Sequence, residues 1–161
     1  MLVGDGPMLA TYQRQRPDAV FTGFYTGANL ARHYASGDLY LHASHTETFG
    51  NVVTEALASG LAVGAFDYAA AHEFIRHEQN GLVARPGDEA AFLAHALRLA
   101  GDAALRARLA RAARATTARL SWDAVIDGFA RDLAEAIDDH NATRTPAKAL
   151  STLSSPLSTS P

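Results

Sequence analysis

Short apolar runs alternate with helical stretches through the first hundred residues of the chain. Leu2-Val3 reads as the end of a strand running into the turn Gly4-Asp5-Gly6-Pro7, and the following stretch through Arg16 is helical in composition. Asp18–Thr22 is a short β-rich run closed by Gly23, and Leu30–Ala35 has helical spacing with Gly37 as its C′ residue. Leu39-Tyr40-Leu41 is a second strand candidate. Over Gly50–Ser59, Val52, Val53, Ala56 and Leu57 recur on one helical face, and Gly60 stops the helix. Leu61–Phe66 reads as a buried strand, Ala70–His77 as a helix, Asn80-Gly81 as a turn and Leu82-Val83 as a brief strand. This alternation predicts right-handed βαβ units on a parallel sheet. Helices alone follow. Asp88 caps a segment through Ala100, Gly101-Asp102 opens another, and Ser121 caps a last one through Ile137, with Trp122 packing into the core. From about Asn141 the composition turns to Ser, Thr, Pro and Leu without period, so the domain is expected over 1–140 and a disordered tail over 141–161.

Composition narrows the function classes. The chain has 161 residues, enough for one ordinary domain with a real core. Its net charge is −3 and no Lys/Arg block exists to neutralise a phosphate backbone, so nucleic acid is not an expected partner. It contains no cysteine, which excludes disulfides and thiolate metal sites and fits a cytoplasmic location. Met1–Pro7 has no basic region followed by an apolar run, so no secretory signal is expected.

The chemistry concentrates in residues 44–60, Ser-His-Thr-Glu-Thr-Phe-Gly-Asn-Val-Val-Thr-Glu-Ala-Leu-Ala-Ser-Gly. Glu47 lies in the loop after a strand, where doubly wound sheets place ligands. Gly50 and Asn51 begin a helix whose free N–H groups and positive dipole end suit a pyrophosphate. Glu55 sits about one and a half turns further in. A carboxylate accepts two hydrogen bonds from adjacent hydroxyls, as a ribose or hexose offers. A Glu in the first turns of a helix is also commonly a dipole-favoured surface residue. Spacing alone leaves both readings open.

Glu47 and Glu55 with seven residues between them, Phe49-Gly50 inside and Ala-x-Ser-Gly after, closely resemble the E-x7-E motif of a large retaining glycosyltransferase family that includes sucrose synthases and bacterial mannosyltransferases. Val3-Gly4-Asp5-Gly6-Pro7, Phe21-Thr22-Gly23, Ala35-Ser36-Gly37-Asp38, Ser59–Val63 and Asn80–Val83 stand in that family's usual order and spacing. The resemblance covers about residues 2–100. It implies an α/β, Rossmann-like doubly wound parallel sheet, the C-terminal half of a GT-B fold, lacking its first strand and followed by C-terminal helices. It implies a nucleoside diphosphate sugar as ligand, with no cofactor and no metal. Glu47 is then the catalytic residue, holding donor-sugar hydroxyls, and Glu55 holds the ribose. Backbone N–H groups near Phe49, Gly50, Asn51 and Val52 meet sugar hydroxyls or the diphosphate. Phe24 and Tyr25 lie against the nucleobase, and Gly4 and Gly6 shape a turn at the cleft.

Two departures from that pattern matter. Where the family usually carries a Gly-Gly pair about three residues before a Glu, this chain has Asp67-Tyr68-Ala69-Ala70-Ala71-His72-Glu73. Alanine discourages φ > 0, so a locally different backbone is expected, with Glu73 either orienting sugar or facing solvent. The family's acceptor-binding domain, its first donor-domain strand, and an Arg and a Lys that neutralise the diphosphate have no counterpart here. In the order 3-2-1-4-5-6 the first strand is central, so unpaired edges, poor stability and no transfer by the isolated chain are expected.

Other residues carry less. His42 and His45 have metal-ligand spacing without a third ligand, and His72 and His77 are spaced poorly for one ion. Arg106, Arg108, Arg111, Arg114 and Arg119 read as a solvated helix face, with attraction to an anionic inner membrane face or a lipid acceptor as the alternative. Against the enzyme reading stand a noncatalytic nucleotide-sugar-binding or interaction module, an inactive fragment of a longer enzyme, and the nucleotide-sugar epimerases, which the motif order disfavours.

Overall fold

The protein is described by a computed structural model over residues 1–143. It divides after Arg119. In the first part, α1 (Leu9–Gln15) and α2 (Gly27–Ala35) precede β1 (Leu39–His42). Next come α3 (Asn51–Ala58), β2 (Ala62–Phe66), α4 (Ala70–Phe74) and β3 (Leu82–Ala84), closed by α5 (Glu89–Gly101) and α6 (Ala103–Thr117). The described portion of the second part holds α7 (Trp122–Thr143).

β1, β2 and β3 pair in parallel in that order, with Leu39 opposite Ala62 and Gly64 opposite Leu82. Every residue of β2 is buried, as its unbroken apolar run requires of a parallel strand covered on both faces. Its side chains alternate between two cores. Val63 and Ala65 pack with Val53 and Leu57 of α3 and with Ile75. Ala62 packs with Leu82, Leu99, Leu105 and Leu109. Leu57, Leu99 and Leu109 are fully buried, and each contributes about 2 kcal/mol relative to exposure. Gly64 lets α5 approach the sheet, since a Cβ there would stand 3.2 Å from Leu99 Cδ1.

The helix boundaries follow local chemistry. The Asp88 and Asp102 carboxylates accept from the N–H groups of Ala91 and Leu105 at 2.9 and 2.8 Å, capping α5 and α6. The α3 end is a Schellman motif. Gly60 is left-handed at φ 75°, the Gly60 N–H donates to Leu57 O and the Leu61 N–H to Ala56 O. Gly37 also follows its helix, but for another reason: a Cβ there would meet Leu61 Cδ2 at 2.9 Å.

Three expectations change. The runs 2–3 and 18–22 form only isolated bridges, Leu2 to Phe21 parallel and Gly4 to Gly23 antiparallel. A two-stranded pair is marginal by itself, and among the described residues no backbone hydrogen bond joins it to β1. A groove of about 500 Å³ lies between them, with Val3 and Gly4 on one wall, Leu39 and Tyr40 on the other. Next, α4 stops at Phe74 rather than His77. Buried Asn80 accepts from the Arg76 N–H at 2.7 Å and donates to Phe74 O and Thr116 Oγ1, both at 2.9 Å, taking over groups that a longer helix would use. Lastly, Ser121 Oγ accepts from the Ala124 N–H as a cap for α7, but Trp122 is 81% exposed rather than in the core. Val125, Ile126, Phe129, Leu133 and Ile137 are exposed with it. Residues 141–143 belong to α7, and the rest of the expected tail lies outside the described residues.

Replacing Asn80 by Ala leaves the Phe74 carbonyl and the Arg76 N–H, both part-buried, without these partners. We expect Asn80→Ala to lower unfolding free energy by about 2–3 kcal/mol, read as a lower urea midpoint with an unchanged slope.

Candidate functional site

β1 delivers the chain to the carboxyl edge of the sheet, and the loop 43–50 carries it from His42 to α3. Gly50 is the N-cap residue at φ 90° and ψ 48°, a conformation that only glycine adopts cheaply. That turn opens α3 without a side-chain cap and without an acidic residue in its first turn. The N–H groups of Asn51 and Val52 meet no acceptor among the described residues. An unneutralised helix start of this kind attracts an anion.

Two carboxylates flank it. Glu47 is half-buried, and its Oε1 lies 3.1 Å from His42 Nε2. The contact is off the N–H axis, so that buried nitrogen has no hydrogen-bond partner despite the short distance. Glu55, on α3, is exposed. Both charges reach the same phenol: burial first, then Glu47 and Glu55, push Tyr40 up to about 12. Tyr34 is raised further, chiefly by burial and then by Tyr40 and by the hydrogen bond and charge of Glu55. Tyr34 and Tyr40 lie 5.9 Å apart by ring centroid, and Tyr40 stacks at 6.0 Å on His42, whose Nδ1 is 3.4 Å from the Tyr40 hydroxyl. Sequence reasoning missed this row of rings. Its members come from α2 and β1, and only the i, i+2 pairing of Tyr40 with His42 on one strand face was a signal.

The predicted residues fall into three places. Gly4, Phe24, Tyr25 and Val52 line the 500 Å³ groove together with Tyr34 and Tyr40. Phe24 is 68% exposed, and Tyr25 stacks on His33 at 4.5 Å. Gly6 lies outside that groove, in an adjoining cavity of about 370 Å³ that Gly4 shares; both glycines have positive φ. Glu47, Phe49, Gly50 and Asn51 stand in the β1–α3 loop and the start of α3, and Glu55 lies farther along α3. Phe49 is held at both ends, its ring edge-on to Phe74 at 6.1 Å and its carbonyl accepting from the Ala70 N–H at 2.8 Å.

The histidine pairs do not converge. His45 packs on Phe66, His72 meets Asp67, and His77 accepts from the Val83 N–H. No group of three or more metal-ligating side chains exists among the described residues. In the arginine run, Arg106 donates to the carbonyls of Leu99 and Ala100, and Arg108 to that of Glu78. Glu73 is exposed at a separate cavity of about 240 Å³, beside Asn80 and Thr116.

The sequence model of the family described as glycosyl transferases group 1 matches residues 1–102. The chain belongs to that family. A GDP-mannose-dependent alpha-mannosyltransferase of Mycobacterium tuberculosis is 40% identical over 79% of this chain and 33% of its own length. A sulfoquinovosyl transferase of Arabidopsis thaliana is 35% identical over 76% of the chain and 25% of its own. Among solved structures, Anabaena HepE with UDP-glucose superposes with a TM-score of 0.69 at 26% identity, over 83% of this chain and 40% of that one. The C-terminal domain of the group 1 family protein LpcC from Francisella tularensis gives 0.60 at 27% identity, over 70% and 64%. The fold is thus that of GT-B C-terminal domains, and this group 1 chain spans between a quarter and a third of these two curated relatives.

The alanine-for-glycine departure in this glycosyltransferase chain has a definite outcome. One of the alanines carries a backbone that disfavours it. Ala69 sits at φ 50° and ψ −129°, the first central position of a tight turn in which the Ala71 N–H donates to Tyr68 O at 3.1 Å. Such a conformation costs a non-glycine residue about 1–3 kcal/mol. Ala69→Gly should therefore stabilise the chain by about 1 kcal/mol after the entropy that glycine adds to the unfolded state, measured as a raised denaturant midpoint.

Proposed function

We propose that this chain is the donor-binding part of a retaining glycosyltransferase that moves a hexose from a nucleoside diphosphate sugar to a glycan or lipid acceptor. The observation that carries this reading is the open start of α3 between Glu47 and Glu55. The diphosphate takes the N–H groups of Asn51 and Val52, whose own helix supplies no competing acid in its first turn. Glu55 accepts from the ribose diol. Glu47 accepts from the sugar, beside the anomeric carbon. Phe24 and Tyr25, on the wall of the groove, offer ring faces to the base.

Departure of the diphosphate breaks its bond to the anomeric carbon, the acceptor oxygen forms the new bond from the same face, and the acceptor hydroxyl's proton passes to the departing diphosphate oxygen. Charge then grows on the diphosphate, where fixed N–H donors stabilise it without metal. UDP or UDP-glucose bound to the solved neighbour and the GDP-mannose dependence of the mannosyltransferase support the ligand class and leave two bases to compare. Because the chain spans a third of that mannosyltransferase, we propose that an acceptor-binding domain outside it is needed for transfer, and that the work is done in the cytoplasm. No helix among the described residues is long and apolar enough to cross a membrane.

The test is calorimetric titration of the folded chain with UDP, GDP, UDP-glucose and GDP-mannose. We expect saturable binding of one nucleotide pair, unchanged by EDTA, and at least a ~30-fold loss in Glu55→Ala from two missing hydrogen bonds to a charged group. No binding by a folded sample sinks the reading. Incubation with donor and mixed glycan acceptors should give no product from the chain alone, and turnover would overturn the requirement for a second domain.

A further inference from the structure

His42 was notable in sequence only for its spacing from His45, and the donor reading leaves it without a role. Its side chain is 14% exposed and stands at the carboxyl end of β1, behind Glu47. Nε2 is 3.1 Å from Glu47 Oε1 and has no hydrogen-bond partner. A buried polar nitrogen in that state costs about 1–3 kcal/mol. Phenylalanine would fill the same space without that cost. The side chain on the other ring nitrogen is equally specific. Tyr40 Oη is 3.4 Å from Nδ1, and the phenol remains protonated because burial and both carboxylates oppose its ionisation. When the hydroxyl donates to Nδ1, the ring proton belongs on Nε2, facing the carboxylate.

We propose that His42 is a positioning residue for Glu47, set in its tautomer by Tyr40, which turns the Glu47 carboxylate toward the sugar of a bound nucleoside diphosphate sugar. This rests on the donor-binding reading above. In the free chain the N–H and the carboxylate are close but misaligned. A small rotation of the Glu47 side chain closes the bond and uses one acceptor site on Oε1. The remaining acceptor sites of the carboxylate stay open for two sugar hydroxyls. The hydrogen bond forms as the sugar docks, so its free energy adds to binding of the sugar and not to binding of the nucleotide.

The experiment separates these two parts. For the full chain, dissociation constants are measured for UDP and UDP-glucose and for GDP and GDP-mannose, and the nucleotide-to-nucleotide-sugar ratio is taken for the pair that binds. We expect His42→Phe to reduce that ratio about tenfold, the worth of one charge-assisted hydrogen bond, while the constant for the nucleotide stays within about twofold of its original value. Thermal stability should hold or rise, since an unsatisfied polar group is removed. His42→Gln, which returns an N–H near the Nε2 position, should recover most of the ratio. Glu47→Ala should lower the ratio as well, and His42→Phe added to it should lower it no further. Tyr40→Phe should produce a smaller loss, and it serves as the decisive variant if His42→Phe does not fold.

An unchanged ratio in His42→Phe, or in Tyr40→Phe where the former is unfolded, overturns the proposal while leaving the donor site standing. Equal loss for nucleotide and nucleotide sugar overturns it too, because His42 would then be structural. Failure of His42→Gln to recover the ratio does the same, since shape and not the N–H would be responsible. If the folded wild-type chain binds no nucleotide, the donor reading falls and this assignment falls with it.

Discussion

The hydrogen bond from the Ala70 N–H to the Phe49 carbonyl joins the loop after β1 to the loop after β2, and the site depends on that link. Phe49 is the last residue before the left-handed turn at Gly50. Fixing its carbonyl, with its ring against Phe74, sets the direction in which α3 begins. The N–H groups of Asn51 and Val52 then stand without an acceptor among the described residues. The same bond explains the persistence of a strained Ala69. That residue lies between Ala70, tied to Phe49, and Tyr68, whose N–H and carbonyl bond to Phe66 and Ala71. Relaxing its φ would break contacts on both sides, so the strain stays where the loops meet. This is the circumstance in which an unfavourable backbone survives: its surroundings over-determine it.

Local chemistry was legible in the residues, and tertiary chemistry was not. β2 and α3 stood out because each states its period and burial in one short run. The caps at Asp88, Asp102 and Ser121 were legible because cap and helix lie within three residues of each other. Gly50 as the start of α3 was legible in the same way, whereas the spacing of Glu47 and Glu55 left their roles open. What failed were features whose second half is distant. Asn80 shortens α4 with help from Thr116, thirty-six residues away. Leu2 and Phe21 have strand composition, but a strand needs more than one bridge to extend. Trp122 and its apolar companions predict a face on α7 without saying what that face meets. The ring row of Tyr34, Tyr40 and His42 needs α2 packed beside β1, a relation that no spacing encodes. At Ala69 the intrinsic preference was read correctly and overruled by its neighbours.

The two glutamates are not equivalent, and the rings explain the difference. Glu55 is exposed, with Tyr34 beside it, while Glu47 is half-buried with His42 behind it. Burial and the nearby carboxylates push the ionisation of Tyr34 and Tyr40 upward, so both phenols remain neutral O–H groups. Among the described residues neither glutamate is paired with Lys or Arg, and most of their acceptor sites stay open. That combination suits hydroxyl recognition, in which a salt bridge to Lys or Arg would use up the oxygens a diol needs. The start of α3 follows Glu47 and precedes Glu55 along the chain, and its first turn carries no acid that would compete with an anion there. In the donor reading proposed above, carboxylates for hydroxyls and backbone N–H groups for phosphate can coexist in the segment from the β1–α3 loop into α3, because neither is asked to neutralise the other.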